Sequence, residues 1–418
     1  MVIKTRGIKL SEKQRLSWLQ LIRSENVGPQ TFRQLIERFG SAEQALLALP
    51  DLVAHGGGRK IRIAKASDAE RELDFAQRNN IHFIGIGEPD YPPLLRAIDN
   101  PPPLISAKGN LKLLQNTAIG IVGSRNASAA GQKLASQFAA SLGEAGLISL
   151  SGFARGIDGA AHQASLNTGT IAVMAGGLDY IYPPEHGDLY QHLLKRGSLV
   201  ISEMPIGWQP RAQDFPRRNR LIAGIGLGLL VVEAAKRSGS LITARLAADY
   251  GRLVFAIPGS PLDPRAVGTN GLIKEGASLV DCAKDIIESL TPLCPEMTLF
   301  DKMLPFELPE AIDQHLLEVN DTSMENIISM TSPQISQSFS LNNLNHCDIN
   351  NSNLDDDLSK KERQVLLGHL SVTPIDMETL ALYCDLSLPK VYLAILELDL
   401  AGKVLRHSGG LVSLAPDF

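Results

Sequence analysis

The sequence predicts an α/β protein built on a doubly wound parallel sheet, with a helical domain before it and a winged helix after it. Three observations carry this. Across residues 117–290 short apolar runs alternate with helical stretches, residues 1–80 repeat apolar positions at helical spacing, and residues 358–418 read as helices followed by a hairpin. At 418 residues the chain exceeds the roughly 100–200 residues of one ordinary domain. A composition 44% hydrophobic and 20% charged can supply more than one core.

The helical front, residues 1–80, places Leu16, Leu19 and Ile22, then Phe32, Leu35, Ile36 and Phe39, three or four residues apart. Between them Asn26-Val27-Gly28-Pro29-Gln30-Thr31 is a turn that opens the next helix. This arrangement resembles helix-hairpin-helix and SAM-like units, whose hairpin amides can meet DNA phosphates. A plain helical packing module is the competing reading, and Arg59, Lys60, Arg62 and Lys65 keep the DNA option open. Residues 81–116 form a lead-in of strand and Pro-rich connections, in which Ile81-His82-Phe83-Ile84-Gly85 reads as a strand and Tyr91-Pro92-Pro93 and Pro101-Pro102-Pro103 fix an extended approach to the sheet.

Six apolar runs suit buried parallel strands: 118–122, 147–150, 170–174, 198–202, 227–232 and 252–257. Helical stretches lie between most of them, at 128–142, 157–166 and 239–250. In such a sheet the segments after each strand share one edge, where ligands bind. They read Gly123-Ser124-Arg125, Ser151-Gly152 with Arg155, Ala175-Gly176-Gly177, Glu203-Met204-Pro205, Lys236-Arg237-Ser238-Gly239-Ser240 and Pro258-Gly259-Ser260. Glycine lets backbone amides approach a phosphate, and serine at a helix start adds a hydroxyl beside the positive end of the helix dipole. Small residues are common at such turns in any α/β protein. The recurrence of Arg125, Arg155 and Arg237 is what that need does not explain.

The stretch Asp214-Phe215-Pro216-Arg217-Arg218-Asn219-Arg220 follows the fourth of these strands. Arginine presents a planar fork matched to phosphate oxygens, and Phe215 offers a face on which any base can stack. The same residues could instead be a solvated helix start anchored by Phe215. Their position on the edge that carries Arg125 and Ser238-Gly239-Ser240 favours a polyanion groove.

Residues 292–357 read as an acidic, largely disordered linker. From 301 to 357 there are eleven acidic residues against Lys302 alone, so the formal net charge of −5 hides a mildly basic remainder. In the tail, helices are expected at 363–370, 377–384 and 388–401, then a hairpin turning at Gly409-Gly410. The third helix would be the DNA reader, but Lys390 is its only base, with Glu397 and Asp399 opposing.

No phosphate loop of the G-x-x-x-x-G-K type occurs, and Gly224-Ile225-Gly226-Leu227-Gly228 lacks the dinucleotide spacing. No cofactor, metal site or catalytic residue is therefore expected. His162 reads as a core-bonded histidine, and Glu203 and Glu233 as acids bracing arginines, although a carboxylate pair for glycosidic chemistry is the alternative. Cys282, Cys294, Cys347 and Cys384 show no ligand or disulfide spacing. With no apolar run of ~20 residues and no signal core, a cytoplasmic location without a membrane span is expected.

Taken together, the stretches at 121–125, 151–162, 177–183, 203–205, 215–220, 238–243 and 268–277 resemble, in order, the DprA/Smf family of bacterial DNA-processing proteins. The resemblance implies an extended Rossmann-like domain over residues 81–291 that binds single-stranded DNA, protects it, delivers it to RecA in natural transformation and forms a homodimer. Carried over by motif, Gly123, Ser124, Arg125, Ser151, Gly152, Arg155, Ser238, Gly239 and Ser240 would hold phosphates. Phe215 would stack a base, with Arg218, Asn219 and Arg220 shaping the pocket, and Leu272 and Ile273 would lie at the dimer interface. Where the family often carries a base this chain has Ala212, and Arg211 is the candidate replacement. The rival implication is a related Rossmann-like enzyme that cleaves nucleoside monophosphates, but Ala175-Gly176-Gly177-Leu178-Asp179 lacks the threonine and glutamate of its loop.

Overall fold

A computed structural model describes residues 7–57, 61–293 and 358–416. The expected linker, Arg59, Lys60, Cys294 and Cys347 lie outside the described residues. The described chain divides into two compact units, one of residues 7–49 and 62–293, the other of 50–57, 61 and 358–416.

The first unit begins with helices α1 (Glu12–Ile22), α2 (Pro29–Phe39), α3 (Ala42–His55, which runs on into the second unit) and α4 (Ala66–Arg78). Ser11 and Gln14 form a capping box that starts α1. Gly28 precedes α2 with Pro29 in its first turn, and Gly40, at φ 74°, ends it in the left-handed conformation that glycine tolerates.

Two carboxylates, one buried and one partly buried, fasten these helices to the sheet region. Glu88, only 4% exposed, accepts the amides of Leu10 (3.1 Å) and Gly85 (2.5 Å) and pairs with Arg15 at 2.6 Å. Glu72 receives both Nε and Nη2 of Arg23, at 3.1 and 2.9 Å, and the amide of Ile206 at 3.1 Å.

Nine strands follow: β1 (Ile81–Gly85), β2 (Leu104–Gly109), β3 (Ala118–Val122), β4 (Ile148–Ser151), β5 (Thr170–Val173), β6 (Leu199–Ser202), β7 (Gly228–Val231), β8 (Leu253–Ala256) and β9 (Ser278–Leu279). Their order is β1-β2-β6-β5-β4-β3-β7-β8-β9. All neighbours from β6 to β9 are parallel, whereas β1, β2 and β6 pair antiparallel. The lead-in thus supplies the expected strand at 81–85 and a second at 104–109, and both join the sheet. Pro101, Pro102 and Pro103 stop just before the β2 ladder begins at Leu104, where their missing N–H groups remove no rung.

The connecting helices are α5 (Pro93–Arg96), α6 (Ala129–Glu144), α7 (Ile157–Ala164), α8 (Gly187–Lys195), α9 (Asp214–Ile225), α10 (Gly239–Asp249), α11 (Val267–Lys274) and α12 (Ala283–Leu290). Ile119 and Ile121 of β3, Leu230 of β7 and Phe255 of β8 pack with Phe138 and Leu142 of α6 in one buried cluster. Leu272 is buried within this unit, so of the two residues expected at a dimer interface only Ile273 is partly exposed. No single helix among the described residues is long and apolar enough to cross a membrane.

The second unit contains α13 (Lys360–His369), α14 (Met377–Cys384), α15 (Leu388–Leu400) and the antiparallel hairpin β10 (Val404–Arg406) and β11 (Val412–Leu414). The bend between α14 and α15 is 107°, a helix-turn-helix angle. The expected repulsion from Glu397 is corrected here. Its carboxylate is buried and takes Nε and Nη2 of Arg363 at 2.6 and 2.8 Å, while Asp399 takes Nε of Arg406 at 2.8 Å. Lys390 is likewise paired, with Glu362 at 2.9 Å.

The Glu88 anchor makes a stability prediction. Glu88→Ala leaves two amides buried without their acceptor and removes the carboxylate from Arg15, which keeps the Phe83 and Leu10 carbonyls, and should cost about 3 kcal/mol in urea unfolding. Asp90→Ala, which removes only an exposed ion pair with Lys9, should change stability by less than about 1 kcal/mol.

Candidate nucleic-acid interface

β3 and β7 are adjacent, but the chain leaves β3 toward β4 and leaves β7 toward β8, on the opposite side. Such a reversal opens a crevice beyond the carboxyl ends of the two strands. A cavity of about 620 Å³ lies there. Gly123, Ser124, Arg125 and Asn126 line it from the end of β3, and Arg237, Ser238, Gly239 and Ser240 from the end of β7 and the start of α10. Phe215, Arg218 and Asn219 of α9 form its third side.

α9 is held in place by charges that its own sequence supplies. Glu203, buried just beyond β6, takes Nε of Arg217 at 2.9 Å and also pairs with Arg220. Asp214 accepts the Trp208 indole N–H at 2.9 Å and the Arg211 amide at 2.8 Å. Between them Arg218, 5% exposed, donates from Nη1 to the Val173 carbonyl at 3.2 Å. Burial lowers its pKa to about 10, against the raising effect of Asp158, so it remains a cation at neutral pH.

Asp158 in turn accepts the amides of Gly152 (3.1 Å) and Ala154 (3.3 Å), which shapes the turn after β4. Burial raises its pKa even though Arg218 and these amides favour the carboxylate. A methyl group on Gly152 would stand 1.4 Å from Nη1 of Arg218, so this glycine exists to let the guanidinium pass. Phe153, in the same turn, holds φ at 58° and is fully buried against His186 and Tyr190.

Phe215 is half-buried, with the Arg125 guanidinium 4.6 Å above its ring centroid and the Tyr182 ring 5.6 Å away. Arg125 is exposed, and so are Lys236 and Arg237. Among the described residues none of these three has an acidic partner within 4.0 Å, whereas Arg155 pairs with Glu185, Arg211 with Asp214, and Arg217 and Arg220 with Glu203. Arg125 and Arg237 thus bring uncompensated charge to the lining of the crevice, with Lys236 next to Arg237 in the chain.

The expected residues divide accordingly. Gly123, Ser124, Arg125, Phe215, Arg218, Asn219, Ser238, Gly239 and Ser240 come together around one cavity. Ser151 does not, since its buried hydroxyl donates to the Ile121 carbonyl at 2.6 Å and ties β4 to β3. Gly152 is covered by Arg218, Arg220 reaches away to Asn100 and Glu203, and Arg155 lines a separate pocket. Arg211 lies 4.3 Å over the Trp208 ring and pairs with Asp214, whereas Ala212 lines the cavity. Glu203 braces arginines as expected. Glu233 does not, because its carboxylate accepts the amide and hydroxyl of Ser128 at the start of α6, over the gap left by Gly131. Asn126 and Tyr182 were missed. Asn126 was signalled by position alone, after β3, and Tyr182 by its place in the 177–183 stretch after β5.

These features define a class: a doubly wound α/β protein with a cationic crevice at its topological switch point, carrying a helical module and a winged helix. Residues 82–291 match the DNA recombination-mediator protein A family, 12–74 a DprA-like N-terminal HHH domain and 353–410 a DprA winged helix domain. The chain belongs to the DNA recombination-mediator protein A family. It is 41% identical over 250 residues to Protein Smf of Escherichia coli, covering 57% of this chain and 67% of that one. It is also 41% identical over 223 residues to DNA processing protein DprA of Bacillus subtilis, covering 53% and 75%. The solved structure of DNA processing protein A from Streptococcus pneumoniae superposes with a TM-score of 0.56 at 35% identity, over 67% of this chain and 98% of that one.

His162 gives the site a pH signature. It is fully buried, its Nδ1 lies 2.9 Å from the Thr170 hydroxyl, and burial together with His186 and Arg218 pushes its pKa down from 6.5 to about 3. The unfolded chain binds this proton first, so the neutral ring's stabilising contribution is complete above pH 6.5 and is lost as pH falls toward 3. Unfolding free energy measured against pH should therefore fall less steeply for His162→Gln, by up to about 1.4 kcal/mol per pH unit inside that window.

Proposed function

We propose that the crevice binds single-stranded DNA and that the protein acts as a recombination mediator, protecting the strand and passing it to RecA as a homodimer. The observation that carries the reading is the juxtaposition of Arg125 with Phe215. An exposed guanidinium without an acidic partner lies against a half-buried aromatic ring at the mouth of a crevice lined by backbone turns and a helix N-terminus. Phosphates would meet Arg125, Lys236, Arg237 and the amides at the start of α10, while bases would stack on Phe215.

The family and the names of the relatives support a role in DNA processing. RecA delivery and dimer formation rest on the resemblance. The carboxylates that glycosidic chemistry would need, Glu203 and Glu233, are engaged by Arg217, Arg220 and Ser128. The Asp179 carboxylate accepts the Gly207 amide at 2.8 Å.

Binding of oligothymidylate across a salt series tests the reading. Each phosphate neutralised on a single strand contributes about 0.7 to the slope of log affinity against log salt. Arg125→Ala should flatten that slope by roughly one such increment. Phe215→Ala should keep the slope and lose about 1–3 kcal/mol of stacking. Affinity unchanged in both variants would remove the crevice as the DNA site.

A further inference from the structure

We propose that the third helix of the winged helix, α15, is a docking surface for the end of this chain's own α3 and the residues just after it, 52–57, and does not read duplex DNA. The inference draws nothing from the single-strand reading of the crevice. Residues 50–57 belong to the same compact unit as the winged helix, although that domain begins only at 358.

A helix that enters a groove must keep one face open to the bases. On α15 a face stays open only near the start, where Leu388, Pro389 and Tyr392 are exposed. Every residue from Leu393 to Leu398 is buried, so this part of the helix is covered all round. α14 and β10 pack against it, as in any winged helix.

Residues 55–57 add a cover from far outside that domain. Nδ1 of His55 lies 3.6 Å from the Glu397 carboxylate. A methyl group on Gly56 would overlap the Glu397 carbonyl oxygen and stand 3.0 Å from Cβ of Ala401, and one on Gly57 would stand 3.1 Å from Nζ of Lys403. The chain therefore crosses the last turn of α15 at backbone distance, which only a residue without a side chain permits at 56. Leu52 and Val53, just before it, are buried in the same unit.

The charges of α15 fit docking better than DNA. Its one base, Lys390, pairs with Glu362 at 2.9 Å, and Arg406 of the hairpin pairs with Asp399 at 2.8 Å. Glu397, 1% exposed, is met by Arg363 from α13 and by His55 from α3. Phosphates need cations that are not already engaged, and base edges need side chains that can reach them.

Amide hydrogen exchange of the full chain tests this, comparing wild type, His55→Glu and Gly56→Ala, with and without an excess of random-sequence duplex DNA. Gly56→Ala presses a methyl group against the Glu397 carbonyl and should speed exchange at 396–403 by about 10-fold, as release of a docked segment does. His55→Glu sets a second carboxylate beside Glu397 and should speed it by a smaller factor. Exchange at 119–122 in the sheet should stay as in wild type, which shows that the rest of the chain is folded. Faster exchange across all of 358–416 would support the proposal equally, since the winged helix would then need the docked segment to stay folded. In wild type the duplex should leave exchange at 388–400 unchanged. Slowing there by the duplex, or wild-type exchange at 396–403 in both variants, would overturn the proposal.

Discussion

The crevice depends on a guanidinium held almost fully buried in its wall. Arg218 lies beneath the turn after β4, and an ion so placed costs several kcal/mol unless neighbouring groups offset the lost hydration. Asp158 supplies the opposing charge and the Val173 carbonyl supplies an acceptor. Asp158 spends its remaining capacity on the Gly152 and Ala154 amides. The arrangement permits little variation: Gly152 has no room for a side chain, and α9 must enter with Arg218 pointing inward. With that helix fixed, Phe215, one turn earlier, meets Arg125 from the neighbouring strand end.

The same helix shows how a cluster of like charges is sorted. Of the arginines between 211 and 220, Arg211, Arg217 and Arg220 find carboxylates, and Arg218 is buried near Asp158. None of them is left as a free exposed cation. Among the described residues, exposed cations with no carboxylate within 4.0 Å reach this edge from two other strand ends, Arg125 after β3 and Lys236 and Arg237 after β7, which the sheet order brings side by side. A switch point can therefore build a positive crevice in a chain whose formal net charge is −5.

Much of this was legible in the sequence. Six of the seven parallel strands fall within one or two residues of their apolar runs, because a strand buried on both faces must be apolar throughout, and the exposed two-residue β9 carries no such run. Gly123-Ser124-Arg125, Phe215 and Ser238-Gly239-Ser240 announced themselves by residue type at strand ends. What the sequence withheld was direction. Whether an arginine faces solvent or a carboxylate depends on partners far along the chain, such as Asn100 for Arg220 or Val173 for Arg218. Arg211 likewise stacks on Trp208 and pairs with Asp214, contacts that its residue type alone does not announce. The antiparallel addition of β1 and β2 was hidden for a related reason, since prolines punctuate the stretch and pairing with β6 spans about 90 residues.

The central claim is that single-stranded DNA lies across the carboxyl ends of β3 and β7. Amide hydrogen exchange of the full chain, with and without saturating oligothymidylate, tests it without altering any residue. The account predicts slowed exchange at residues 123–126 and 237–240. Protection confined to the winged helix or to the helical front, with none at those two strand ends, would contradict it.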